Sequence, residues 1–237
     1  GEWYSDIGHV RDGEYYGPAA ISIMALLFKN DYRDYFLEQG WRLFISAAPS
    51  RRAEAVLSFR AEQNYSLGSA TDYSLFTRSG AYRPNPPVAE GALRSVRLDL
   101  RLGPPRAPLD LVPRSAIELS VERSSPGFAG SEFDFSIYLA RLEWSVNTFA
   151  RDMLFPPSLR VSASAGLGLG AVPPQRRFRL DSRASGYAPF GVLRGSDVDE
   201  FGGDRFVMIS AEHNFRSIPF LALDIPFLYR NGFEILL

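Results

Sequence analysis

The sequence predicts an all-β protein, and more specifically an antiparallel transmembrane β-barrel with roughly nine strands in this chain of 237 residues. Three observations lead to this fold class. Apolar and polar residues alternate with period two, which places them on opposite faces of a sheet. Most of the alternating segments are long, and a tilted strand needs about 9–11 residues to cross a bilayer. Short proline-rich connections alternate with long polar ones, as in outer-membrane barrels.

The alternation is clearest in the segments 92–102 and 206–215. In the first, leucines and a valine alternate with arginines and an aspartate. In the second, one face carries Val207, Ile209, Ala211, His213 and Phe215. Further strands are expected at 19–29, 35–48, 53–65, 116–123, 132–146, 159–169 and 219–237.

Between these strands, residues 1–13 are expected to be irregular and 171–203 to form the longest loop. Glycines and serines occupy one face of 159–169, which suits a crowded interior or the close approach of another segment. No linker divides the chain, so residues 1–237 are interpreted as a single domain. The opening Gly1-Glu2-Trp3 is not typical of a native start, and we expect the chain to be a fragment that lacks the first and last strands of its barrel.

The composition excludes several classes of function. The formal net charge of −1 gives no reason to expect nucleic acid as a partner. There is no cysteine and there are only two histidines, so neither a thiolate nor a multi-histidine metal site is expected. The acidic group at 197–204 does not have the spacing of a calcium loop. No GxSxG, HExxH or phosphate-loop pattern occurs, and we therefore expect no enzyme activity, no metal and no cofactor.

A soluble β-sandwich is the main alternative, because its strands alternate in the same way. The charged face of 92–102 fits both folds, as the solvent side of a sandwich or as the lumen of a barrel. Strand length and the alternation of connections favour the barrel. Its aliphatic rows would then face hydrocarbon, and four aromatic residues become candidates for the membrane–water boundary, although aromatic residues also pack well in any β core. These four are Trp41, Trp144, Tyr35 and Tyr65.

The stretch 193–216 resembles the bacterial surface antigen superfamily, which contains barrel-assembly insertases and two-partner-secretion transporters. The resemblance is carried by Leu193-Arg194-Gly195, by Glu200, by Gly202-Gly203-Asp204, and by the following strand with Glu212 and Arg216. Ser196 stands where the superfamily has an aromatic residue. The order of the motifs in 28–36, 83–91 and 127–134 is similar to that in a less characterised subgroup of outer-membrane barrels.

The resemblance implies that 171–203 is the sixth outer loop of a sixteen-strand barrel, and that this loop folds back into the lumen. Arg194 would project from the loop and pair with carboxylates of the lumen wall, such as Glu212 or Asp224. The implied location is the outer membrane of a Gram-negative bacterium, with membrane lipid, client polypeptides or other outer-membrane complex subunits as partners. The implied function is insertion or translocation of proteins. A passive barrel that anchors a larger complex and a soluble sandwich that binds a ligand are the alternatives.

Overall fold

A nine-stranded antiparallel sheet forms most of the molecule. The computed structural model describes residues 1–9, 18–29, 34–68, 72–77, 79–82, 84–104, 115–150, 152–180 and 201–237. The large sheet contains β1 (Glu2–His9), β2 (Tyr35–Ser50), β3 (Ala53–Ser66), β4 (Gly91–Leu102), β5 (Ala116–Ser124), β6 (Phe135–Asn147), β7 (Ser158–Gly170), β10 (Arg205–Arg216) and β11 (Ile235–Leu236).

Strands that follow one another in the chain are neighbours in the sheet, with one exception. The order is β1-β2-β3-β4-β5-β6-β7-β10-β11, so the chain leaves the sheet between β7 and β10. The departing segment contains a 3-10 helix (Pro174–Arg176) and two short strands, β8 (Phe178–Leu180) and β9 (Phe201–Gly203), which pair with each other. The prediction of an all-β antiparallel fold is confirmed, and the strands predicted between 35 and 169 and at 206–215 lie within a few residues of the observed ones.

The prediction that residues 1–13 are irregular is wrong for the described part of that segment. Residues 2–9 form β1, which pairs along its whole length with the first half of β2. Apolar and polar residues alternate only weakly here, so the pattern of residues does not indicate a strand. Pairing to the 16-residue β2 supplies the backbone hydrogen bonds that its own side chains do not predict.

The strand predicted at 19–29 is a helix, α1 (Pro18–Phe28). Alanine, leucine and methionine are strong helix formers, and proline is favoured in the first turn. The helix ends where Lys29 adopts a φ of 59°, a left-handed conformation typical of helix ends. A short apolar run cannot be assigned to a strand or a helix from its periodicity alone. No helix in the described ranges is long and apolar enough to cross a membrane.

The long strand predicted at 219–237 is also wrong, except at its end. The chain forms α2 (Ile218–Ala222) and α3 (Pro226–Arg230), and only Ile235–Leu236 return to the sheet as β11. Pro219 and Pro226 lie in the first turns of the two helices, where the missing amide proton costs nothing. The same prolines would remove ladder hydrogen bonds from a strand.

The two faces of the sheet differ in composition over most of their length. We call them the aliphatic face and the polar face. One row of the aliphatic face crosses six adjacent strands in register and consists of Ile45, Leu57, Leu98, Val121, Tyr138 and Leu167. All six side chains are exposed. On β4 the aliphatic residues extend from Val96 to Leu102, about 20 Å at 3.3 Å per residue.

The cluster of buried apolar residues lies on the polar face, near one end of the sheet. Leu93 of β4 and Phe135 of β6 are fully buried and pack against Val172, with Phe133 and Ile137 around them. This is the end at which β3 leads into β4 and β7 leads into the departing segment. The largest aliphatic surface of the described chain therefore takes no part in a core.

Candidate functional site

Opposite charges face one another across the strands of the polar face. Glu54, Arg101, Glu118 and Arg141 occupy register positions on β3 to β6 and form an alternating ladder. The Nε atom of Arg101 lies 3.3 Å from Oε1 of Glu118. Oppositely charged neighbours of this kind stabilise a sheet modestly. The ladder lines an open cleft of about 370 Å³.

Residues 171–178, here called the arm, fold over one end of the polar face. The Ala171 amide donates to the carbonyl oxygen of Asp134, at 2.8 Å. Val172 follows and is buried against Leu93 and Phe135. The arm therefore leaves β7 and turns back over the sheet.

Gln175 fixes the tip of the arm through the backbone of the loop before β4. Its side-chain amide donates to the Ala89 carbonyl oxygen at 2.9 Å, and its Oε1 accepts from the Ala89 amide at 3.0 Å. Gln175 is 2% exposed. Because both bonds are shielded from water, they hold the tip in one position.

Arg176 forms the central contact between the arm and the sheet. Its guanidinium lies 2.5 Å from Oε1 of Glu62, and the two side chains are 14% and 0% exposed. The Tyr4 hydroxyl donates to the other oxygen of Glu62, at 2.8 Å. A buried carboxylate is tolerated when it is paired with a cation and its remaining lone pairs are hydrogen-bonded.

A second buried carboxylate, that of Glu122 on β5, lies within the field of the same arginine. The Ser95 hydroxyl donates to its Oε1 at 2.8 Å, and the charges of Arg176, Arg60 and Arg97 act on it. Arg176 of the arm, two arginines of the sheet and two buried glutamates thus form one charged network where the arm meets the sheet. The residues of the sheet are Arg60, Arg97, Glu62 and Glu122. We take this network as the candidate functional site.

Glycines of β7 make room for the arm. A Cβ atom built on Gly166 would lie 2.6 Å from the ring of Phe178, and one on Gly168 would lie 2.8 Å from Val172. Phe178 also meets Phe206 of β10 edge to face, with ring centroids 5.0 Å apart. The expectation that small residues on this strand allow another segment to approach closely is confirmed.

The motif expected to enter the lumen lies mostly outside the described residues. This applies to Leu193, Arg194, Gly195 and Glu200, so the pairing proposed for Arg194 stays a prediction. Gly202 and Gly203 belong to β9 and pair with β8. Asp204 follows them, and its carboxylate lies 3.2 Å from Nε of Arg177 in a largely exposed ion pair.

The two expected wall carboxylates have different positions. Glu212 lies on the polar face of β10, in register with Arg160 of β7. Arg160 is also paired with Glu143, at 3.2 Å. Asp224 lies between α2 and α3, with a φ of 50° and an exposed side chain. The expectation that Asp224 belongs to the strand wall is wrong, because the chain has already left the sheet at Ser217.

The four aromatic residues all lie on the aliphatic face or at its border. Tyr35, Trp41 and Tyr65 lie toward the end of the sheet that carries the arm. Trp144 lies toward the opposite end, in register with Val161. Trp41, Trp144 and Tyr65 are exposed, and Tyr35 is half-buried. These positions flank the aliphatic rows at both ends.

Sequence reasoning missed Arg176 and Glu62. Arg176 follows two prolines in a segment without periodicity, and its carboxylate partner lies 114 residues earlier in the chain. The available signal was the consecutive Glu62-Gln63-Asn64, three polar residues at the end of an otherwise alternating strand. Such a run indicates that both faces of the strand end meet polar surroundings.

The arrangement is suited to holding a segment of chain in place. In the described ranges, no three His, Cys, Asp or Glu side chains converge as a metal site would require. His213 lies on the other face, with its Nε2 2.9 Å from the Thr148 hydroxyl. The sequence matches no family model, and no curated protein is significantly similar to it.

Proposed function

We propose that the sheet is part of the wall of an outer-membrane β-barrel that works in the insertion or translocation of polypeptides. The observation that carries this proposal is the exposed in-register row from Ile45 to Leu167, on the side opposite a charged face that the arm covers at one end. In water, contiguous apolar patches larger than a few hundred Å² are rare in monomers. In a bilayer, the same rows face hydrocarbon and the charges face an enclosed lumen.

Two further features favour lipid over a soluble sandwich. In a sandwich, a second sheet packs about 10 Å away and covers the aliphatic rows. Among the residues described, the only other sheet has two short strands, and it lies on the side of the arm. Except for β1, β5 and β11, the strands of the large sheet have 12 to 16 residues, enough to cross a bilayer at a tilt. Lipid exposure also requires that the wall close beyond β1 and β11, directly or through further strands.

In this proposal the arm closes the lumen at one end. The ion pair of Arg176 with Glu62 holds the arm on the sheet, and the contacts of Gln175 and Phe178 hold it on either side of Arg176. A client polypeptide passes when the arm swings away, and Glu62 and Glu122 then become available to water and to the client. The assignment to the surface antigen superfamily is part of the same proposal, with the arm as the beginning of its inward-folded loop.

The test compares Arg176→Ala with the adjacent Arg177→Ala in the full-length protein reconstituted in lipid. Arg177 pairs with Asp204 in a largely exposed ion pair, so it is a matched control. We expect low conductance across planar bilayers for the parent and the control, and higher conductance with more frequent openings for Arg176→Ala. Equal conductance of both variants would count against an arm that closes the lumen.

Client handling needs a separate measurement. Proteoliposomes that contain the protein should speed the protease-resistant insertion of a urea-unfolded outer-membrane barrel, relative to proteoliposomes that contain an unrelated closed barrel. Arg176→Ala should change this rate, and Arg177→Ala should not. If neither the parent nor Arg176→Ala speeds insertion, the translocation function is wrong even though the barrel assignment can stand.

A passive anchoring barrel is the second candidate. The buried hydrogen bonds of Gln175 with Ala89 favour it, because they describe an arm that is firmly fixed. A passive barrel would show no client-dependent rate and no change of conductance during client addition. A soluble binding module would remain in solution without detergent and would show no heat-modifiable band.

A further inference from the structure

The helices at the end of the sheet opposite the arm bury none of their side chains. We call residues 217–234 the helical rim. The helices α2 and α3 have five residues each, and neither contains a buried residue. Leu223 and Phe227 are 70% and 68% exposed. Isolated helices shorter than about 12–15 residues are marginal in water, so contacts outside the two helices contribute to their stability.

Many backbone amides of the helical rim donate to carbonyl oxygens of the rim itself. The amides of Leu223, Ile225 and Phe233 donate to the carbonyl oxygens of Pro219, Phe220 and Leu228, at 2.9 to 3.1 Å. Pro219 and Pro226 have no amide proton to satisfy. Amides that are paired in this way cost less at the boundary of hydrocarbon than unpaired ones would.

A second apolar segment lies at the same end of the sheet, in the loop 148–157 between β6 and β7. Ser158 is paired with Asn147 on one side and with Asn214 on the other. The loop and the residues after β10 therefore leave the sheet at the same end. The Arg216 guanidinium donates to the Pro156 carbonyl oxygen, at 3.5 Å. The loop exposes Phe149, Met153, Leu154 and Phe155.

Both segments continue the aliphatic face. The ring of Phe149 stacks on His213, with centroids 5.8 Å apart, and His213 is in register with Leu159 on that face. The His213 amide donates to the carbonyl oxygen of Leu237, whose side chain is exposed. Apolar surface therefore runs from Val207 along β10 to the rim without a charged side chain on that face.

Charged groups of the helical rim are few and lie at its turns. Asp224 separates the two helices, Arg230 ends the second, and Arg216 pairs with Glu234 at 3.1 Å. This mixture of exposed apolar side chains with polar groups at the turns suits the layer between headgroups and acyl chains.

We infer that the helical rim and the described residues of the loop, 148–150 and 152–157, bind lipid at the membrane interface, with Leu223, Phe227 and Leu154 inserted among the upper acyl chains. This inference rests on the proposed membrane-spanning sheet and adds to it an anchor that lies in the plane of the membrane. The occupant is phospholipid, because the apolar surface is continuous with the rows that the proposal places in hydrocarbon.

The absence of cysteine allows a direct test by site-specific labelling. Single cysteines replace Phe227 in the rim, Val121 in the middle of the aliphatic face, and Arg230 as the polar rim control. Each variant carries an environment-sensitive fluorophore and is reconstituted in phosphatidylcholine vesicles brominated at shallow or deep acyl positions. Heat-modifiable migration verifies folding, and Leu223→Cys replaces Phe227→Cys if the latter does not fold.

The labels at 227 and 121 should differ in depth. An interfacial segment is buried about 5–10 Å, so the label at 227 should be quenched about twofold more by shallow than by deep bromines. The label at 121 should show the reverse preference, and the label at 230 should be quenched only weakly. Quenching at 121 without quenching at 227 overturns this inference and leaves the barrel standing. No quenching at either position overturns the barrel, and equal quenching at 227 and 230 overturns the role of the apolar side chains.

Discussion

Val121 and Glu122 are neighbours on β5, yet the valine is 38% exposed and the glutamate only 4%. The same contrast holds across the sheet, since the aliphatic face is open and the polar face is partly covered. In a protein that folds in water, burial of the apolar face drives folding, and the polar face is solvated. This inversion is what the proposed lipid contact of the aliphatic face would produce.

The polar face differs from an ordinary solvated surface in a second way. Its buried residues are mostly Ser, Glu and Asn, and the most completely buried lie beneath or beside the arm. Buried polar groups are costly unless they are paired. Here Ser95 donates a hydrogen bond to Glu122. Glu62 accepts a hydrogen bond from Tyr4 and forms an ion pair with Arg176. The contrast between the faces thus has two parts, an open aliphatic face on one side and an arm held by charge on the other.

Breaking the arm's ion pair should give the largest effect. Arg176→Ala leaves the fully buried Glu62 without its cation, and the loss of one partner of a buried pair costs about 3–5 kcal/mol. Urea unfolding of the folded protein in lipid vesicles measures it. Arg177→Ala should cost no more than about 1 kcal/mol, because its pair is exposed.

A double variant sharpens this result. Arg176→Met combined with Glu62→Gln removes both charges at similar volume, and we expect it to recover much of the stability lost in Arg176→Ala. Equal losses in Arg176→Ala and Arg177→Ala would mean that the arm is not held by this contact.

Placing an arginine on either face tests the inversion itself. Val121→Arg should destabilise the protein in lipid by about 2–4 kcal/mol, the cost of a cation near the middle of a bilayer. Ser120→Arg, on the polar face and in register with Asp99, should be close to neutral. Urea unfolding of both variants under identical conditions in vesicles measures the difference. If the aliphatic face were in water, Val121→Arg would leave the free energy of unfolding unchanged or raise it.

The sequence predicted the two faces well, because alternation depends only on neighbouring residues. Seven of the strands, including β2 and β10, were expected close to their observed bounds, and the small residues of β7 indicated an approaching segment. The helix α1 was not predicted because its apolar run has no clear period. The helix α2 was not predicted because its first turn, at Pro219, lies in a segment that was expected to be a strand. The identity of the arm's arginine could not be predicted, because the contact of Arg176 with Glu62 is fixed only by the folded sheet.

Filling the space beneath the arm should have an intermediate effect. Gly166→Val places a branched side chain against Phe178 and Phe206, and overpacking of this kind costs about 1–3 kcal/mol. The variant should also raise the conductance of the reconstituted protein, since the arm is displaced. Ala165→Val, on the exposed aliphatic face of the same strand, is the control. Identical behaviour of the two variants would contradict the packing of the arm on β7.

The smallest expected change in stability concerns the charge ladder. Glu118→Gln leaves Arg101 and Arg141 without the carboxylate between them, but the glutamine oxygen can still accept a hydrogen bond from Arg101, so the cost should be about 1 kcal/mol. Its effect should instead appear as selectivity. In the Arg176→Ala background, which we expect to conduct, the reversal potential in a salt gradient should shift toward anions, because a negative charge is lost beside two cations. Leu119→Met, the neighbour on the aliphatic face, should leave the potential unchanged. If Glu118→Gln also leaves it unchanged in a conducting variant, the polar face does not line the conduction path, and the contrast between the faces requires another explanation than a lumen.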